Sequence, residues 1–275
     1  MEPGSVRAGR RDLGLVPDLA GRRWQAIDPL LPAAQGWPPG CGAELTVDGP
    51  DGSLVAAGSC GHWRAEPGSL DLIEGAALRF RLTPYITGPD ALASLGTLLS
   101  RWREHLAAVP EAAGEDTAAV VSWPSRDVTG VRALVAHGLV PLGVIERQGT
   151  AQALRAEVAG LLAEHEPWVW LAERDGEPAG LLIAERPQAA SWIAPRTRRS
   201  PVAYVLALFV APPERGAGVG AALTGYLHRA AAAAGVAVIL LQYEQVNPLA
   251  VPFWGHQGYR PLWTTWEARP ARMLR

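Results

Sequence analysis

The chain has 275 residues, of which 48% are hydrophobic and 19% charged, and its formal charge is -2 at pH 7. That composition supplies ample apolar material for a core, which excludes a disordered chain, and it lacks the net basic field that would make nucleic acid a partner. The length fits one large domain or two of ordinary size, and two are expected here, 1–148 and 149–275.

All 25 basic residues are Arg, and Cys41 and Cys60 have neither the number nor the spacing of a disulfide framework or a zinc site. No metal is expected. The charged start, with Glu2, Arg7, Arg10, Arg11 and Asp12, holds no apolar leader, and no apolar run approaches the roughly 20 residues of a membrane helix. The expectation is a cytoplasmic protein without membrane contact, a monomer or a homodimer.

A short helix is predicted over 19–27. Two β-like runs between Ala43 and Trp63 flank the turn cluster Asp48-Gly-Pro-Asp-Gly52, which predicts a hairpin, and a further strand is expected over 76–82. Asp90 is a good N-cap for a helix whose stripe is Leu92, Leu95, Leu98, Leu99, Trp102 and Leu106. A strand over 117–123 and a short helix over 128–137 complete this half. The second half spells the same order: a helix over 151–165, strands over 168–173, 179–185 and 202–210, a helix over 218–234, a strand over 236–243, a short helix over 249–256 and a last strand over 262–267. Asp127, Val131, Gly138, Pro141 and Leu142 align at a constant offset with Asn247, Val251, Gly258, Pro261 and Leu262, which points to an internal duplication.

The segment Val210-Ala-Pro-Pro-Glu-Arg-Gly-Ala-Gly-Val-Gly220 joins a β-branched strand to an amphipathic helix, with three glycines in five positions where the helix begins. Glycine permits close backbone approach, the first helical N–H groups lack internal partners, and the helix dipole adds positive potential, so a pyrophosphate suits this turn. Arg215 adds a cation at its rim. Gly216, Gly218 and Ala221 also satisfy the loose dinucleotide fingerprint, but Ala211-Pro-Pro-Glu214 separates them from the strand and too little chain follows for a Rossmann domain.

Arg215-Gly-Ala-Gly-Val-Gly220 resembles the R-x-x-G-x-G/A acyl-CoA loop of the GNAT acetyltransferases. Asn247-Pro-Leu-Ala250, Phe253-Trp254 and Gly258-Tyr259-Arg-Pro261 resemble the asparagine-led segment that follows the fifth strand in that family. The match covers about the last hundred residues well and the first half as a worn copy, a layout similar to tandem acetyltransferases such as mycothiol synthase. The resemblance implies an α/β (α+β) chain of two tandem domains, each a central, mostly antiparallel mixed sheet with a splayed parallel pair and flanking helices. It implies acetyl-CoA as the acyl donor, with Leu208, Phe209 and Val210 along the pantetheine arm. It also implies Arg215, Gly216, Ala217, Gly218, Val219 and Gly220 around the pyrophosphate, and Asn247, Phe253 and Trp254 along the opposite wall. The first half's turn, Tyr85 to Ala91, carries an acid where phosphate would sit and is not expected to bind coenzyme A.

Direct transfer of an acyl group to an amine needs a base for the ammonium proton and a proton source for the departing thiolate. Many members of the family carry a tyrosine where this chain has Trp254, whose indole is no acid near neutral pH. Tyr204, Tyr243 and Glu244 are the candidate catalytic groups, with Tyr259 as a further nearby phenol, and Tyr204, Tyr243 and Glu244 equally suit structural roles. Trp168, Trp170, Trp192, Trp263 and Trp266 either line an aromatic acceptor pocket or fill the core. The leading expectation is an N-acetyltransferase acting on a small-molecule primary amine. The alternatives are a non-catalytic acyl-CoA-binding sensor and a protein or peptide N-acyltransferase.

Overall fold

Trp24, on the first helix α1 (Val16–Ile27), stacks over Tyr85 at 6.1 Å and meets Trp263 edge-on at 5.3 Å, so this helix is fixed by a stripe of Val16, Ala20 and Trp24 one turn apart. The computed structural model describes residues 13, 16–33, 42–66, 69, 75–143, 150–164 and 167–275. Cys41, the charged start as far as Asp12, and His165 lie outside them. The chain divides into one unit of Met1–Thr150 with Pro261–Arg275 and a second of Ala151–Arg260.

In the first unit the expected hairpin is β1 (Glu44–Asp48) and β2 (Leu54–Arg64), followed by β3 (Leu78–Ile86), which starts and ends later than the apolar run suggested. Asp90 caps α2 (Ala91–Ala107) by accepting the Ala93 N–H at 3.0 Å. The helix lays Leu95, Leu98, Leu99 and Trp102 fully into the core, each buried Leu contributing about 1.5–3 kcal/mol. β4 (Thr117–Pro124) runs parallel to β3 from Leu78↔Thr117 to Leu82↔Val121. Asp127 caps α3 (Val128–Ala136) through the Gly130 N–H at 3.1 Å and accepts from Arg23 at 3.0 Å, and Val140–Pro141 form the short β5.

The last strand, β10 (Trp263–Ala268), departs from expectation. The sequence places it in a second domain of 149–275, yet it pairs antiparallel with β4 from Trp263↔Pro124 to Ala268↔Ala119, and with β5 on its other side. The first sheet therefore has the order β1-β2-β3-β4-β10-β5. Trp266 and Ala268 enter the same apolar cluster as Leu98 and Trp102, and that burial settles which sheet receives the strand.

In the second unit, α4 (Thr150–Glu164) precedes the hairpin β6 (Trp168–Arg174) and β7 (Glu177–Glu185), turned at Asp175-Gly176. Next come β8 (Val202–Val210), α5 (Val219–Ala233), β9 (Val238–Leu241) and α6 (Ala250–His256). The sheet order is β6-β7-β8-β9, antiparallel except for β8 with β9. Leu182, Ala184, Val205, Leu223, Leu227 and Trp254 form its core against α5, while Ala190, Ile193, Val202 and Tyr204 cover the opposite face. Two mixed sheets with flanking helices, each with one parallel pair, are the architecture expected from the sequence. No helix among the described residues is long and apolar enough to cross a membrane.

Candidate functional site

β8 and β9 share a ladder only from Val202↔Val238 to Val205↔Leu241. Beyond that rung β9 ends and β8 continues to Val210, so one edge of residues 206–210 has no ladder partner among the described residues. A bulge sits at the same place. Ile183 pairs with Ala207 and Ala184 with Val205, which leaves Leu206 as the extra residue and turns the strand at the point of parting. Sequence reasoning missed Leu206, because no Gly or Pro marks the bulge.

The open edge leads into the turn before α5. Gly216 and Gly218 have φ of +83° and +85°, and no heavy atom lies within 4 Å of a Cβ built on either one. Gly218 is the N-cap, no side chain among the described residues caps α5, and its first N–H groups have no intrahelical acceptors. Gly220 serves differently: a Cβ there would approach Phe253 Cε2 to 3.0 Å and Val210 Cγ2 to 3.5 Å, so its absence lets α5 close onto α6 and the strand end. Arg215 is exposed and donates its Nε–H to the Val210 carbonyl at 3.2 Å, which holds its charge beside the turn. Glu214, the one acid in the turn, is taken up by Arg174 at 2.9 Å. An uncapped helix end, two left-handed glycines with free space and a positioned guanidinium make an anion cradle at the end of an unpaired strand edge.

The remaining expected residues fall in different places. Leu208 packs against the α5 side, and Phe209 points the other way with 55% of its surface exposed. Asn247 caps α6, its Oδ1 accepting from the Leu249 and Ala250 N–H groups at 3.0 and 3.2 Å, so its side chain is committed to the helix. Phe253 is half-buried. Trp254, expected along the ligand wall, is instead 7% exposed and packed edge-on against Phe253 and Tyr259 at 5.0 and 5.1 Å. An indole in that cluster is part of the core of the second unit.

Nor do the three catalytic candidates converge. Tyr243 belongs to the cluster on the α5 side, where burial raises its pKa, while Tyr204 lies on the opposite face and donates its hydroxyl to Gln242 Oε1 at 3.2 Å. Glu244 is half-buried just past the end of β9. Tyr259, pushed to about 12 by burial, contacts His228 Nε2 through its hydroxyl at 3.0 Å. The five tryptophans are dispersed as well: Trp168 and Trp170 sit beside the α5-side core, Trp192 is on the opposite face, and Trp263 and Trp266 belong to the first unit.

In the first unit the corresponding helix end is closed. The Asp90 carboxylate occupies the N-terminus of α2, and a Cβ on Gly88 would meet Val55 at 2.7 Å.

The family model described as Acetyltransferase (GNAT) family matches residues 144–259. A GCN5-related N-acetyltransferase from Sphaerobacter thermophilus shares the fold over 95% of this chain and 93% of its own, at a TM-score of 0.53 and 13% identity. An aminoglycoside antibiotic 6'-N-acetyltransferase from Acinetobacter haemolyticus is similar over 51% of this chain and 91% of its own, at a TM-score of 0.35 and 19% identity. A search of curated proteins finds no significant match. The splayed strand pair, the glycine turn and the family match coincide in one stretch of chain, residues 144–259, which matches the model of the acetyltransferase (GNAT) family.

Proposed function

We propose that this protein transfers an acetyl or other short acyl group from coenzyme A to a primary amine of a small molecule. The observation that carries the reading is the unpaired edge of β8 running straight into the uncapped N-terminus of α5. In this reading the loop from Arg215 to Gly220 holds the pyrophosphate, through its N–H groups other than those of Arg215 and Ala217, which bond the Pro212 and Glu214 carbonyls, and through the Arg215 guanidinium. The edge of β8 turned away from β7, along Leu208, Phe209 and Val210, pairs with the amides of the pantetheine arm as an added strand would, with Arg215 already on the Val210 carbonyl.

A main-chain N–H of β8 near the bulge then faces the thioester carbonyl and stabilises the oxyanion that forms as the amine attacks. The amine nitrogen, once deprotonated, forms the new C–N bond, the C–S bond breaks, and the coenzyme A thiolate leaves and takes up a proton. Glu244 is the candidate acceptor for the ammonium proton, directly or through water, and Tyr204, whose hydroxyl carries its proton toward Gln242, is a candidate only for positioning that water. Tyr243, kept protonated by burial, is the candidate donor to the thiolate. The first unit, with Asp90 across its helix end, completes a tandem pair without binding coenzyme A.

Acetyl-CoA titrated into the protein by calorimetry tests the cofactor site. Native protein should bind, and Gly218→Glu, whose carboxylate repels the pyrophosphate, should not; failure of the folded native protein to bind ends the acyltransferase reading. The burial of Trp254 favours one second reading, an acyl-CoA-binding module without turnover, and release of free thiol that depends on added amine separates the two.

A further inference from the structure

On the face of the second sheet turned away from α5, a carboxylate is built into an aromatic wall. Glu185 ends β7, is 7% exposed, and stands directly across the ladder from Tyr204. Its Oε2 accepts the indole N–H of Trp192 at 2.8 Å, and among the described residues no cation pairs with it. Trp192 packs edge-on against Tyr204 with ring centroids 5.0 Å apart at 74°, yet 55% of its surface stays exposed.

Both features leave binding capacity unfilled. A carboxylate has about four acceptor positions, and the Trp192 N–H fills one of them. A tryptophan held by a hydrogen bond and a ring contact, with most of its surface in solvent, is positioned without being buried. A cation bound at this spot resolves both, pairing with the free positions of the carboxylate and lying against the indole. The position is specific too, because the Glu185↔Tyr204 rung adjoins the Val205↔Leu241 rung where β8 and β9 part, beside the bulge at Leu206.

We infer that Glu185 and Trp192 form the acceptor subsite of the second unit and that it takes the ammonium group of an aliphatic amine. Its part in the reaction rests on the acyltransferase reading above; its affinity for an alkylammonium ion does not. Glu185 is the ion-pair partner that brings the amine to the parting of the strands, and Trp192 is the wall that prefers a cation over a neutral isostere. Tyr204 holds Trp192 in place by the ring contact.

The test uses the full chain with n-butylamine as probe and n-butanol as its uncharged isostere. Saturation-transfer NMR reads binding without turnover, and thiol release in the presence of acetyl-CoA reads KM and kcat. n-Butylamine should bind and n-butanol should not. Glu185→Gln, which keeps an acceptor for the Trp192 N–H, should weaken amine binding and raise the amine KM about tenfold or more while leaving acetyl-CoA affinity unchanged. Trp192→Ala, at an exposed side chain, should weaken the same binding, and Trp192→Phe should retain most of it. Equal n-butylamine binding by the native protein and by folded Glu185→Gln and Trp192→Ala overturns the inference. A protein that binds n-butylamine through Glu185 but not acetyl-CoA would instead sink the acyltransferase reading and leave the cation site standing.

Discussion

Replacing Gly218 with Ala separates what the turn before α5 costs from what it does. At φ +85° a Cβ carries the left-handed penalty of an L-residue, about 1–2 kcal/mol, and with no heavy atom within 4 Å there is no packing term to add or offset it. For a domain of about this size each kcal/mol lowers the Tm by about 4–8 °C, so a clear shift is expected by calorimetry. Gly235, just past the far end of α5, is the matched control: φ is +68°, a Cβ there also meets nothing, and the length of the helix separates it from the turn before α5. Both variants should lose similar stability, but only Gly218→Ala should also lose acetyl-CoA affinity, by about tenfold or more, because the methyl group stands where the pyrophosphate must reach the backbone. Acetyl-CoA affinity within about twofold of native for Gly218→Ala, measured by calorimetric titration, refutes the assignment of the cradle; an unchanged Tm for both variants refutes the strain argument.

In the first unit, Asp127→Ala removes the α3 cap and leaves Arg23 without that acceptor, and should cost about 1–3 kcal/mol in urea unfolding. Asp127→Asn keeps the cap, as Asn247 does for α6, and should cost less. Burial lifts the Cys60 thiol to about 12, so iodoacetamide near pH 8 should leave the Cys60 peptide unmodified in native protein and label it on unfolding, read by mass spectrometry. Tyr259, at about 12 when folded, holds its proton above the pH at which an unfolded tyrosine ionises, near 10. Its contribution is whole below pH 10 and lost as pH rises toward 12, so the Tm should fall across that window, less so in Tyr259→Phe. Truncation after Arg260 deletes the strand between β4 and β5 and should abolish cooperative unfolding of the first unit, with loss of amide protection along β4 read by hydrogen exchange.

Most of the secondary structure was legible because its signals are local. The Asp90 and Asp127 caps, the Leu95–Leu98–Leu99–Trp102 stripe and the β-branched run of β8 each depend on neighbours a few residues away. Two features were not local and were missed. The destination of β10 is decided by tertiary burial of Trp266 and Ala268, which any sheet edge in the chain satisfies equally well on paper. The bulge at Leu206 inverts the alternation of β8: a strict period of two puts Tyr204 and Leu208 on one face, whereas Tyr204 lies opposite the α5 side and Leu208 on it. Tyr204 and Tyr243 lie apart for a different reason: Tyr204 stands across from Leu240, and Tyr243, three residues further along, falls on the other face of the sheet.

The two units use the same order of strand, helix, parallel strand, capped short helix and left-handed glycine at its end, Gly138 in one and Gly258 in the other. With the layout shared, the two units differ at one turn. At α2 the N-terminal N–H groups already have an acceptor in Asp90, whose charge also repels phosphate, and Gly88 is closed in by Val55. At α5 no side chain among the described residues caps the helix, the nearest acid is held by Arg174, and both glycines open onto free space. A helix dipole is present in either case, so the two ends differ in the satisfaction or vacancy of a few N–H groups and in the sign of the nearest charge, the two properties on which an anion's affinity for a helix end depends.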